Sequence, residues 1–102
     1  MYKVLSIMQK PEEMSFEDWR RWAIEEHPKL ARRIPGMVKY VVNVARSDDP
    51  NAEFHLVNEM YFEDEEAFKA GFGSDAGKAA GADAAGTAAK RVRLVVEQHE
   101  LI

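Results

Sequence analysis

Apolar and polar positions alternate along four short stretches of this chain and recur at helical spacing between them. Residues 2–9, Tyr-Lys-Val-Leu-Ser-Ile-Met-Gln, are rich in β-formers and stop just before Pro11, which predicts a first strand closed by a turn. Ser15-Phe-Glu-Asp18 resembles a capping box, with Met14 and Trp19 at the two positions of a hydrophobic staple, so a helix is expected to start there. Phe16, Trp19 and Ala23 then fall on one face, and the stripe continues through Leu30 and Ile34. Pro28 removes a helical hydrogen bond and disfavours α geometry at His27, which predicts a break or kink near Glu26–Pro28. Pro35-Gly36 ends the segment.

Residues 37–46 place Val38, Tyr40, Val42 and Val44 in one row and Met37, Lys39, Val41 and Asn43 in the other, a second strand. After the turn cluster Ser47–Asn51, residues 54–62 alternate again, with Phe54, Leu56, Asn58, Met60 and Phe62 opposite His55, Val57, Glu59 and Tyr61. Asp64 can cap a helix that turns Ala67 and Phe68 inward, and Ser74 or Asp75 can start a further segment to about Ala89. That segment is dominated by alanine and glycine, and each interior glycine costs about 1 kcal/mol relative to alanine, so its helicity is the least secured by propensity. Residues 91–98, with Val92, Leu94, Val95 and Val96, form the fourth strand.

The order βαββαβ predicts an α+β fold of the ferredoxin-like kind, a four-stranded antiparallel sheet with its helices on one face. The other face carries Met37, Val41, Val57 and Tyr61, and the fourth strand is read as apolar on both sides. Monomers seldom expose such a surface, so a second copy packed face to face, a homodimer, is the expected cover.

At 102 residues the chain has room for one domain, 1–102. Its net charge of −4 and scattered basic residues, apart from Arg32-Arg33 and Lys90-Arg91-x-Arg93, leave no broad positive face, so no nucleic-acid partner is expected. No apolar run is long enough for a membrane span and no secretory leader is evident, which makes a cytoplasmic location the default. The absence of cysteine excludes disulfides, thiolate catalysis and Cys-type zinc or iron–sulfur sites. His55 and His99 do not have the spacing of a metal site, and Gly71, Gly73, Gly77 and Gly81 do not form a phosphate loop. Neither cofactor nor metal is therefore expected.

His27 followed by Pro35-Gly36, then Lys39-Tyr40-Val41-Val42-Asn43, then Glu59-Met60-Tyr61-Phe62 leading into Glu63-Asp64-Glu65-Glu66, resembles the EthD family of dimeric α+β barrels over nearly the whole chain. The resemblance implies a homodimer with a pocket between sheet and helices in each subunit. It also extends distantly to methylmuconolactone methylisomerase and to polyketide cyclases of the same barrel class. Several such enzymes work without metal or organic cofactor, using a histidine and neighbouring polar groups to move protons on a small carbonyl-bearing substrate. The isomerase is associated with a cysteine where this chain has Met60, which separates this chain from that reaction.

His27 is the leading candidate catalytic residue, because imidazole can take and return a proton near neutral pH and the residue lies on the apolar stripe. The bland alternative is a histidine that caps the interrupted helix. Tyr40 is the second candidate, as a donor to a developing enolate, against the commoner role of a packed strand tyrosine. Asn58 and Met60 share the inward row and are assigned to substrate binding, with Trp22 and Phe72 as apolar walls, although aromatic residues at this spacing are first of all core. Glu59 points to the opposite face, toward the expected dimer contact, where an inter-subunit ion pair or hydrogen bond is expected rather than acid–base work. The 71–89 segment is either a mobile lid or a close-packed small-residue helix. The preferred activity is cofactor-independent isomerase, cyclase or dehydratase chemistry on a small carbonyl or aromatic compound. A non-catalytic ligand-binding accessory protein and a haem-handling monooxygenase with His27 on iron are the alternatives.

Overall fold

In the computed structural model, which describes residues 1–102, strands β1 (Tyr2–Gln9), β2 (Met37–Val44), β3 (Leu56–Phe62) and β4 (Lys90–Val96) form one antiparallel sheet. Its order is β2-β3-β1-β4, the ferredoxin-like arrangement expected from the element order. The first helical region comprises α1 (Phe16–Arg21), a π-helical turn (Trp22–Glu26) and α2 (His27–Ala31); the second comprises α3 (Glu65–Gly73) and α4 (Asp75–Thr87). Ser15 caps α1 by accepting the Asp18 N–H at 3.1 Å, and Asp64 caps α3 by accepting that of Ala67 at 2.8 Å. Ser74 caps α4 through the Gly77 N–H at 3.1 Å, which gives the alanine-glycine segment a defined start. No helix is long and apolar enough to cross a membrane.

Strict alternation along β3 sets the layers. Leu56, Asn58, Met60 and Phe62 are buried toward the helices, while Val57, Glu59 and Tyr61 face the other way. The buried side chains divide into two apolar clusters. One joins Met8, Trp19, Trp22, Ala23, Leu56 and Ala84; the other joins Val4, Ile34, Met60, Phe62 and Ala80. Between them a polar row crosses the sheet, because register places Asn58 opposite Ser6 and Ser6 opposite Arg93.

Two expectations are corrected and a third is refined. The pairing slips between Met37 and Lys39, so Met37 sits opposite Phe62 and packs on the helix side, whereas Val38 is 50% exposed. A bulge inserts one residue and inverts the alternation before it. Strand β4 is not apolar on both sides: pairing with β1 sends Arg91, Arg93 and Val95 to the helix face, leaving Val92, Leu94 and Val96 on the open one. The first helical region is disturbed near Glu26–Pro28 as expected, but by widening into a π turn rather than by ending, and it continues to Ala31.

On the open face Leu5, Ile7, Val41, Val57, Val92 and Leu94 surround a polar centre at Glu59, and Leu94 is 51% exposed. Lys3 Nζ lies 2.9 Å from Glu59, the Asn43 amide donates to it at 2.7 Å and the Tyr61 hydroxyl at 2.9 Å.

The donors, Lys3 first and then Asn43 and Tyr61, hold the Glu59 carboxyl down to about 2. Because this folded-state value lies below the ordinary 4.5, Glu59's contribution to stability is complete above pH 4.5 and is lost as pH falls toward 2. Glu59→Gln is expected to flatten that part of the acid limb in urea melts; a limb of unchanged slope contradicts the assignment. A second prediction concerns the end of α3, where a Cβ at Gly71 would fall 2.5 Å from the Pro35 carbonyl oxygen and 3.3 Å from the Phe62 ring. Gly71→Ala should therefore lower denaturant stability by about 1–3 kcal/mol. Gly81→Ala, with nothing within 4 Å, should raise stability by up to about 1 kcal/mol.

Candidate active site

The site begins with the helix geometry that Pro28 imposes. In a regular α-helix residue 28 would donate to the Ile24 carbonyl; proline has no N–H to give, and its ring crowds that oxygen. The chain takes a π turn, in which the His27 N–H bonds the Trp22 carbonyl, five residues back. The wider turn brings Trp22 and His27 onto one side, with ring centroids 4.8 Å apart, where a plain α-helix would rotate them away from each other. Both rings then meet Asp83 of α4. The Trp22 indole N–H donates to Asp83 Oδ2 at 3.0 Å, and His27 Nδ1 lies 2.9 Å from the same oxygen. A carboxylate only accepts, so Nδ1 carries the hydrogen, and in the neutral ring Nε2 is left as the basic nitrogen. His27 is 5% exposed.

Beside this pair, between the two apolar clusters, lies a small cavity open at one side. His27, Tyr40, Asn58, Met60 and Phe72 all line it. Two buried polar atoms in the lining, Tyr40 Oη and Asn58 Oδ1, have no hydrogen-bond partner. A buried orphan of this kind costs about 1–3 kcal/mol, so a ligand that satisfies it recovers that free energy on binding. Burial pushes the Tyr40 phenol up to about 12, against a smaller opposing effect of Arg32. The hydroxyl is therefore a neutral donor throughout the physiological range.

Five of the six residues expected at the site from sequence thus share one cavity. Trp22 is the exception: it lies outside the lining and contributes through its ring against His27 and its bond to Asp83. Asp83, Ser6, Arg91 and Arg93 were missed. Ser6 and Asn58 each interrupt an inward apolar row at its centre, a signal visible in sequence. Asp83 is one acid in an alanine-rich helix and becomes significant only through the π turn. His55 accepts the Lys10 N–H at its Nδ1 at 3.1 Å, and His99 lies 3.3 Å from Glu97. Neither approaches the cavity. The 71–89 segment supplies Phe72, Gly77, Ala80, Gly81 and Ala84 as one cavity wall.

Fold and site together define a ferredoxin-like α+β protein with a polar-and-apolar pocket between sheet and helices. Residues 11–90 match the EthD domain, and the chain belongs to that family. It is similar to an ethyl tert-butyl ether D family protein from Bacillus halodurans, at 28% identity, with 97% of this chain and 99% of that one covered and a TM-score of 0.82. A dimeric ferredoxin-like protein of unknown function from Thermobifida fusca shares 16% identity, with coverage of 95% and 90% and a TM-score of 0.75. A mutant form of SnoaB, a cofactor-independent oxygenase from Streptomyces nogalater, shares 8% identity, with coverage of 99% and 95% and a TM-score of 0.67. Among curated proteins none matches the chain.

The orphaned hydroxyl generates a prediction of opposite signs. Tyr40→Phe removes an unsatisfied buried group and should leave the free protein as stable or up to about 1 kcal/mol more stable in denaturant melts, while weakening any ligand that accepts from the hydroxyl. A clear loss of stability would show that the hydroxyl already has a partner.

Proposed function

We propose that this chain is a small-molecule enzyme that moves a proton on a carbonyl compound without metal or organic cofactor, in isomerase, cyclase or dehydratase chemistry, with His27 as base and Tyr40 as donor to the oxygen. The observation that carries this reading is the buried His27, bonded to Asp83, beside a cavity lined by Tyr40, whose buried hydroxyl has no hydrogen-bond partner. In the step proposed, a C–H bond next to the carbonyl breaks, its proton passes to His27 Nε2, and the electron pair moves onto the carbonyl oxygen. The Tyr40 O–H stabilises the resulting enolate, and the proton returns to the same or another carbon. Asp83 is a positioning residue: it holds the tautomer and stabilises the imidazolium while the proton resides there. Asn58 orients the substrate, and Met60 and Phe72 supply apolar walls. The fold shared with a cofactor-independent oxygenase is compatible with chemistry of this kind. A haem-handling role would need an accessible histidine beneath a flat slot, and the burial of His27 disfavours it.

The second part of the proposal is a homodimer of single-domain subunits. Its support is the open sheet face, apolar around the Glu59 centre and uncovered within the chain, together with the dimeric state stated for the ferredoxin-like protein from Thermobifida fusca. The same patch on two copies covers itself across a two-fold axis.

Two measurements follow. Aryl ketones and lactones with an acidic C–H, incubated with the protein in D₂O, should exchange that hydrogen by NMR. His27→Ala should slow exchange by about 10²–10⁴-fold, with Asp83→Asn lowering the rate and altering its pH profile. Exchange unchanged in His27→Ala rejects the base assignment, and ligand binding without exchange favours the accessory-protein reading. Light scattering in dilute solution should give twice the 11.6 kDa chain mass, and Leu94→Lys should give the single mass; a wild-type monomer rejects the dimer.

A further inference from the structure

The fifteen residues lining the cavity include two permanently cationic side chains, Arg91 and Arg93, and no carboxylate. That composition runs against the chain as a whole, which has 18 acidic and 14 basic residues. The nearest acid in the mechanism, Asp83, is outside the lining and already receives both Trp22 and His27. Arg91 and Arg93 occupy alternate positions of β4, opposite Met8 and Ser6, so they share the helix-side face of an edge strand. Neither has an ion-pair or hydrogen-bond partner among the side-chain interactions of the chain, although acids elsewhere on the surface are paired with Lys29, Lys69 and Lys90.

Arg93 is anchored. Its guanidinium carbon lies 4.6 Å from the centre of the Phe72 ring and 5.7 Å from that of Phe68, close enough for both rings to attract the cation. Partial burial lowers its pKa, and repulsion from Arg91 lowers it further. Both arginines are exposed at the cavity mouth, where the paired positive charge favours a bound anion. An arginine lying over an aromatic ring for packing alone would explain Arg93 but not the neighbouring Arg91, nor the lack of acids in the lining.

We propose that the pocket takes small organic acids, with the ligand's carboxylate received at the mouth by Arg91 and Arg93 and its carbonyl oxygen accepting from the Tyr40 hydroxyl. This rests on the cavity being a ligand site, as read above, but not on proton transfer by His27. The row Asn58, Ser6, Arg93 across β3, β1 and β4 gives the ligand its axis, from the sheet interior to the edge. A planar carboxylate matches the fork of a guanidinium edge, and such charge-assisted pairs are about twice as strong as neutral hydrogen bonds.

The test uses 4-oxo-4-phenylbutanoate, which carries an aryl ketone and a carboxylate, and its methyl ester, titrated by calorimetry and ligand-observed NMR. The acid is expected to bind at least about tenfold more tightly than the ester in low salt, with the difference shrinking as salt is added. In the double variant Arg91→Gln, Arg93→Gln the preference of acid over ester should vanish, and the single Arg91→Gln should reduce it if the double variant fails to fold. His27→Ala should keep the acid preference. Equal binding of acid and ester, no binding of either up to millimolar concentration, or a preference that survives loss of both arginines overturns the proposal. Acid preference without hydrogen exchange sinks the proton-transfer reading and leaves this one standing; exchange on neutral ketones without acid preference does the reverse.

Discussion

A proline inside a helix is the constraint from which the site follows. Pro28 cannot donate to the Ile24 carbonyl, and the surrounding residues pack too well for the helix to end: Trp22, Ala23 and Ala31 are all buried on its two sides. The π turn satisfies both demands, since it keeps helical direction while leaving room for the ring. Its by-product is a polar cluster. Residues five apart, Trp22 and His27, come into register, and a single Asp83 oxygen receives both. An imidazole that would otherwise be a costly polar group on an apolar stripe is thereby satisfied on one nitrogen and left basic on the other.

The sheet supplies the complementary half. Its inward rows are apolar at both ends and polar in the middle, so the core forms as two clusters with a gap between them. A continuous apolar core would have closed that gap at interior packing density. Here Asn58 and Ser6 hold it open, Tyr40 and Met60 border one side, and the small residues of α4 roof it without filling it. The orphaned Tyr40 and Asn58 atoms are a local cost that the folded protein tolerates where a ligand can offset it.

Much of the architecture was legible in the chain because period-two and helical patterns report burial directly. The strands, the caps at Ser15, Asp64 and Ser74, and the row containing Tyr40, Asn58 and Met60 needed no tertiary information. What could not be read depended on register. A one-residue bulge exchanges Met37 and Val38 between faces, and the side of β4 that carries Arg91 and Arg93 is fixed only by its pairing with β1. Pro28 was recognisable as a disturbance, but whether it breaks or widens a helix depends on the packing that Trp22 and Ala31 make afterwards. Asp83, sixty-one residues from Trp22 and fifty-six from His27, gave no local signal at all.

Proton transfer by His27 requires a free Nε2, and ¹⁵N–¹H correlation NMR of His27 in the ligand-free protein reads the protonation of both ring nitrogens directly. With the ring neutral, Nδ1 should carry the proton, shifted downfield by its bond to Asp83, and Nε2 should resonate as an unprotonated nitrogen; in Asp83→Asn this preference should weaken. A neutral ring protonated at Nε2, or one unaffected by the change at Asp83, would contradict the account.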